Sequence, residues 1–288
     1  MSLLQSPHWP VLIDVYFFLG GLAGGAFVIA TVANLIDSQR FRSVIRAGYY
    51  LALLALLPCP IILIVDLGVP ARFMNMVMHF NPQSPMSMGA WALLGFSACA
   101  GLAAMATAIE DFGRARDLSL AKLVIGVIGG FFGFFLAAYP GVLLGATVRP
   151  LWVNSHALGA LFLTVGASTA AATMALMLLA AGRRTADGVS SLRVMTIFAL
   201  VLQVVSLVIV IVSINASGST SSAQALAQLM SGKFSTLFWL GVAGSIVPLV
   251  LGLVDLRLRS VGLTAIASLL VIAGGFVLKY VVMAAGQA

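Results

Sequence analysis

The chain alternates between apolar runs of membrane length and short joints that carry most of its charge. That alternation limits its fold more than any single motif does. Eight runs, at about 11–36, 44–66, 87–109, 122–146, 155–181, 193–215, 234–255 and 261–284, are long enough to cross a bilayer as helices. In hydrocarbon every backbone N–H and C=O must be paired within the protein, which leaves helices and closed barrels as spanning forms, and uninterrupted apolar runs of this length read as helices. Composition agrees: 61% of the 288 residues are hydrophobic and 8% are charged, so the bilayer has to be the solvent. The expected architecture is an all-α integral membrane protein, one membrane domain over 1–288, with eight transmembrane helices grouped as two four-helix bundles. Pro58 and Pro60 predict a bend late in 44–66, and Pro140 and Pro248 fall inside the fourth and seventh runs.

Orientation follows from where lysine and arginine fall. One set of joints carries Arg40, Arg42, Arg46, Arg114, Arg116, Lys122, Arg183, Arg184, Arg193, Arg257 and Arg259, whereas the other carries Arg72, Arg149, Lys233 and Lys279. The positive-inside rule then places both termini and the 67–86 loop outside, and the net charge of +7 reports cytoplasmic joints rather than nucleic-acid binding. The expected location is the bacterial cytoplasmic (inner) membrane. No cleavable leader pattern precedes the first run, so the first helix is expected to act as its own signal.

Acids sharpen the picture. Asp37, Glu110, Asp111, Asp117, Asp187 and Asp255 lie in the arginine-rich joints, which leaves Asp14 and Asp66 toward the outer face. Tyr139, about seventeen residues into an outward-running helix at ~1.5 Å each, reaches the outer third, and Lys279 is similarly placed. Ionisable groups at membrane depth are costly and mark proton, ion or substrate paths. On the first helix Asp14, Phe18, Gly21 and Gly25 share a face, a carboxylate and an aromatic followed by glycines, which predicts a slot. On the fourth, Tyr139 stands above Phe135, next to Pro140, which frees a carbonyl. An apolar, aromatic slot with a few polar groups at its mouth suits a lipophilic ring bearing two oxygens.

The longest polar stretch, DLGVPARFMNMVMHFNPQSPMSMGAW at 66–91, resembles the loop of the NrfD/polysulfide-reductase membrane-subunit family. DVYFFLGGLAGGAF is similar to that family's first helix, YPGVLLGATVRPLW to its Y-T-G-V-L-L…P-L-W stretch, and AGGFVLKYVVMAAGQ to its closing segment. The likeness runs over nearly the whole chain, with Pro140 where threonine is common and Lys279 where arginine is common. It implies a quinone-binding membrane anchor of a multisubunit respiratory oxidoreductase, not active alone. The implied cofactor is menaquinone or ubiquinone. The implied partners are a ferredoxin-like iron–sulfur subunit on the outer face and a catalytic subunit of molybdopterin type. By motif position Asp14, Asp66 and Tyr139 are the reacting residues. Phe18, Gly21, Arg72, His79, Phe135 and Lys279 complete the expected quinone site.

Bland readings stand beside these. Asp66 could cap a helix end or pair with Arg72, Tyr139 could be an interfacial aromatic, and Lys279 could reach to the outer interface. His8, His79 and His156 fall outside the spans, so no pair of interior histidines is available for a haem. Cys59 and Cys99 are too few for an iron–sulfur cluster or zinc. Two other function classes compete: a proton-coupled transporter or channel, and a structural anchor with no redox site. Against a transporter, the inner halves of the runs carry no charge in this reading. Ser84-Pro85 predicts the cap and first residue of the third helix, and Asn81-Pro82 a turn.

Overall fold

The computed structural model describes residues 9–113, 118–182 and 187–287. His8, Arg114, Arg116, Asp117, Arg183 and Arg184 lie outside the described residues, as does the side chain of Arg72. Among the described residues all regular structure is helical. In chain order the helices are α1 (Val11–Asp37), α2 (Arg42–Leu56), α3 (Pro58–Asp66), α4 (Phe73–Met78), α5 (Pro85–Phe112) and α6 (Ser119–Gly145). They continue with α7 (Pro150–Val153), α8 (Leu158–Ala180), α9 (Asp187–Ala216), α10 (Thr220–Met230), α11 (Ser235–Leu258) and α12 (Val261–Gln287). With α2 and α3 counted as one span, eight are long and apolar enough to cross a membrane. This is a multi-pass membrane protein.

Local chemistry explains the element ends. Ser84 accepts the backbone N–H of Ser87 at 3.4 Å, with Pro85 as the first helical residue of α5. The second span breaks at Leu57, where Pro58 cannot supply the N–H that would continue the ladder. Pro140 and Pro248 are tolerated inside α6 and α11 without ending them.

α1 is the most enclosed span, with 78% of its apolar window buried against 22% for α11. It packs on α2, α6 and α8, and touches α3 and α12. α5 lies on α2 and α6, whereas α8 carries α9 and α12, and α11 closes against both of those. Backbones meet where glycines recur: a Cβ on Gly24 would collide with the carbonyl oxygen of Gly133, and one on Gly25 would lie 2.6 Å from that of Gly166.

Trp9 and Gln287 meet at one end of the protein. The Trp9 backbone N–H donates to Gln287 Oε1 at 2.6 Å, Trp9 stacks on Trp152 at 5.8 Å, and Trp152 Nε1–H donates to the Val282 carbonyl at 3.0 Å. At the opposite, arginine-rich end, Lys122 pairs with Glu110 at 2.6 Å, Arg193 with Asp255 at 2.6 Å, and Arg46 with Asp111.

Here the structure departs from the sequence reading. Lys122, Arg193 and Asp255 are not solvated joint residues but buried ones, at 4%, 8% and 1% exposure, inside helices that outrun the apolar runs. Each charge has a partner on another element, which lets the helix continue past it. α10, on the polar joint after α9, was not visible in the hydrophobic pattern.

Candidate functional site

Two faces of α1 carry the candidate residues, and they look in different directions. Gly20 and Gly24 recur every fourth residue after Tyr16 and meet α6, at Leu136 and at Gly133 with Ala137. Tyr16 itself lies within electrostatic reach of Cys59 on α3 and Tyr139 on α6. Phe18, Gly21 and Gly25 are turned instead toward α8 and α12. Phe18 meets Phe276 edge-on at 5.4 Å, and Gly25 lies against Gly166 and Ala170. Asp14, one turn before Phe18, belongs to this second face.

On the α6 side, Tyr139 is buried and its hydroxyl donates to the carbonyl of Pro85 at 2.8 Å. Its ring stacks on Phe135 at 5.7 Å and lies directly over Gly89, where a Cβ would overlap the ring. The phenol therefore joins α6 to the start of α5. The bend at Leu57 matters for the same region. α2 packs on α5, whereas α3 packs chiefly on α1 and α2. Asp66 stands exposed at the outer end of the second span, as the last residue of α3.

On the other side, Lys279 is 2% exposed. Its Nζ donates to the Phe17 carbonyl at 3.1 Å and stands 5.2 Å from the centre of the Phe162 ring. Gly21 makes room for it, since a Cβ there would lie 2.5 Å from Nζ. The glycine face expected to form an open slot is thus filled by helix crossings and by a lysine. Lys279 does not reach the interface; a backbone carbonyl satisfies it inside the protein instead. Asp14 is 4% exposed, and its Oδ1 has no hydrogen-bond partner. A buried carboxylate oxygen left open costs free energy unless something else meets it or a proton neutralises it.

Of the expected site residues, Asp14, Phe18, Gly21 and Lys279 gather on one side of α1, and Phe135 and Tyr139 on another. Asp66 and His79 are exposed at the loop, where a His79 ring nitrogen contacts the Asn75 carbonyl at 3.2 Å. Sequence reading missed Tyr16, Phe162 and the Phe17 carbonyl. Tyr16 could have been found, being two residues from Asp14, whereas an apolar ring and a backbone oxygen carry no sequence signal of a role. Among the described residues, no three His, Cys, Asp or Glu side chains come together as a metal site.

The family model described as "Polysulphide reductase, NrfD" matches residues 3–288. The chain belongs to the NrfD family. One of the polysulfide reductase chains of Wolinella succinogenes is 29% identical over 97% of this protein and 94% of its own length. The NrfD homolog of Haemophilus influenzae is 26% identical over 97% of this protein and 94% of its own length. One of the selenate reductase subunits of Mesobacillus selenatarsenatis matches a shorter part, 27% identical over 30% of this protein and 21% of its own length. NrfD-family proteins are membrane subunits of respiratory oxidoreductases, and the eight spans of this member agree with that. The NrfD match covers both faces of α1 and the loop between α3 and α5.

Proposed function

We propose that this protein is the quinone-reactive membrane subunit of a respiratory oxidoreductase, and that it exchanges electrons with an iron–sulfur subunit docked on the 67–86 loop. The observation that carries this reading is an asymmetry between the two ends. At the arginine-rich end, the buried charges Lys122, Arg193 and Asp255 are neutralised by ion pairs. At the end that holds Trp9 and Gln287, the buried carboxylate Asp14 keeps an open oxygen, Lys279 is held by a carbonyl rather than a carboxylate, and the phenols of Tyr16 and Tyr139 are buried on the other face of α1. Polar groups held this way at membrane depth suit a ligand that is mostly apolar and brings oxygens of its own.

A quinone fits the residues on the α6 side, because its ring matches the stacked Phe135 and Tyr139 and one of its oxygens matches the Tyr139 phenol, while Asp14 on the other face of α1 offers an open oxygen for a proton. Bound, the quinone–quinol couple supplies or accepts two electrons and two protons. Entry is lateral, from the bilayer. Tyr139 positions a ring oxygen by turning its hydroxyl from the Pro85 carbonyl, with Phe135 stacked on its ring. Asp14 holds or releases a proton at Oδ1, Asp66 passes protons to the aqueous phase, and Lys279 fixes the α1 backbone beside Asp14 while lending positive charge to the site. His79 and Arg72 belong to the docking loop.

In this reading the spans form two four-helix bundles, α1 to α6 and α8 to α12, in the bacterial inner membrane with both termini outside. The iron–sulfur partner is ferredoxin-like and extracytoplasmic, and passes electrons to or from a molybdopterin-type catalytic subunit. The quinone is menaquinone or ubiquinone. The test combines labelling and kinetics. A photoreactive azidoquinone should label α1, α3 or α6 near Tyr16 and Tyr139 in the purified protein. Tyr139→Phe and Asp14→Asn should each slow quinol turnover of the assembled complex about a hundredfold or more, the range for removing a positioned proton-transfer group. Wild-type rates in both variants, with no labelling on these helices, would overturn it.

A further inference from the structure

At the arginine-rich end, three carboxylates are already engaged inside the protein. Glu110 holds Lys122 and accepts the Leu118 backbone N–H at 2.9 Å. Asp111 holds Arg46 and accepts from the Tyr50 hydroxyl at 3.0 Å. Asp255 holds Arg193 and, at Oδ1, accepts the backbone N–H of Ser260 at 2.8 Å. Arg257 and Arg259, where α11 passes into α12, are left over. Both are exposed, and among the described residues neither meets a carboxylate.

Arg259 is held there against its own backbone preference. Its φ is 50°, the one positive value at a non-glycine among the described residues. Helices often end on such a residue, and glycine usually fills the place because it has no Cβ to clash. Asp255 imposes the conformation on arginine: its carbonyl accepts the Arg259 N–H at 2.8 Å, and its side chain takes the next N–H. Asp255 is itself buried and fixed by Arg193 and Thr264. A strained residue over-determined by its surroundings points to a use for its side chain. A helix C-terminus favours positive charge on its own account, but Arg257 already supplies one in the last turn. Between the two arginines Leu258 projects, 66% exposed. Behind it Val254, Val250 and Val247 recur at four- and three-residue spacing on the exposed side of α11, the least enclosed span. The stripe runs about 16 Å at 1.5 Å per residue. That is about half the thickness of the bilayer's hydrocarbon core, the depth that the tails of one leaflet fill.

We propose that Arg257 and Arg259 form the headgroup seat for an acidic phospholipid of the leaflet at the arginine-rich end, with its tail lying along Leu258, Val254, Val250 and Val247. Guanidinium groups bind phosphate through charge-assisted, often bidentate hydrogen bonds, and each arginine near an anionic membrane surface adds attraction. The headgroup supplies the counter-charge that the protein's own carboxylates do not. Through Asp255, which ties the joint to Arg193 on α9 and Thr264 on α12, the bound lipid steadies the contact of α9, α11 and α12. The seat makes no use of the quinone site.

The test uses the purified full-length protein in a neutral detergent, with lipid binding followed by native mass spectrometry and thermal unfolding measured on the same samples. Phosphatidylglycerol should bind and raise the unfolding temperature, whereas phosphatidylcholine with the same tails should do neither. Inorganic phosphate at millimolar concentration should not displace the lipid, because it has no tail for the valine stripe. Arg257→Gln with Arg259→Gln should weaken phosphatidylglycerol binding about thirtyfold, and Arg42→Gln, on a different joint, should leave it unchanged. Arg259→Gly separates a lipid contact from a helix cap. It should weaken binding about fivefold, yet unfold without lipid at the wild-type temperature or above, since glycine accepts the positive φ. Equal binding of the two lipids, displacement by phosphate alone, or full binding by the double variant would each overturn the seat. So would an Arg259→Gly protein that loses stability without lipid and binds phosphatidylglycerol as wild type does.

Discussion

Lys279 Nζ reaches across the interior to donate to the backbone carbonyl of Phe17, 262 positions away in sequence, at 3.1 Å. The contact joins the last span to the first and requires Gly21, one turn on, to have no side chain. It divides the glycines of α1 into two kinds. A methyl at Gly21 would meet the far end of a flexible lysine, whereas a methyl at Gly24 would meet the rigid carbonyl of Gly133.

Gly21→Ala should therefore leave the protein folded, at a cost of about 1–3 kcal/mol for local overpacking, while displacing the amine from Phe17. Gly24→Ala should force α1 and α6 apart and sharply reduce the amount of folded protein recovered from membranes. Thermal unfolding of the purified protein and its yield after gel filtration check both. Equal behaviour of the two variants would contradict the division.

Lys279→Met keeps the length of the side chain and removes the charge. Burying an ammonium is costly, so the variant should unfold at the same temperature as wild type or higher. Quinol turnover by the complex should nevertheless fall about a hundredfold, in the manner of a lost electrostatic contact. The combination of retained stability with lost turnover separates a role in the site from a role in packing.

Tyr139→Phe removes the hydroxyl that holds Pro85. The Pro85 carbonyl then loses this partner, at about 1 kcal/mol, and the start of α5 is released from α6. Limited proteolysis should cut the 67–84 loop faster in the variant than in wild type, with helix content unchanged. The same variant should lose quinol turnover if the phenol meets the ring.

Much of this arrangement was legible in the amino-acid sequence. Apolar runs gave the spans, Ser84-Pro85 gave the start of α5, and Pro58 gave the break at Leu57. Counting residues along a helix gave Asp14 and Tyr139 a common depth, but depth carries no azimuth. Whether two residues at one level face each other depends on how α1 is rotated against α6 and α12, which is settled by glycine contacts distant in sequence. Arg193 and Asp255 misled for a related reason. A charge at the end of an apolar run looks solvated until its partner on another helix is known. Lys279 looked like an interfacial lysine because the carbonyl that satisfies it has no sequence signature.

The Arg193–Asp255 pair gives the clearest stability prediction. Both side chains are almost fully enclosed, and Thr264 bonds to both of them. Removing one partner leaves the other charge buried and uncompensated, so Arg193→Ala or Asp255→Ala should destabilise the protein by about 3–5 kcal/mol. Replacing both with apolar residues of similar volume, Arg193→Met with Asp255→Leu, removes the two desolvation costs together. The double variant should recover most of the loss despite carrying more mutations, apart from the Ser260 N–H that Asp255 Oδ1 accepts. Thermal unfolding of wild type, the two single variants and the double variant in one detergent forms a double-mutant cycle, and a coupling below about 0.5 kcal/mol would mean that water already screens the pair.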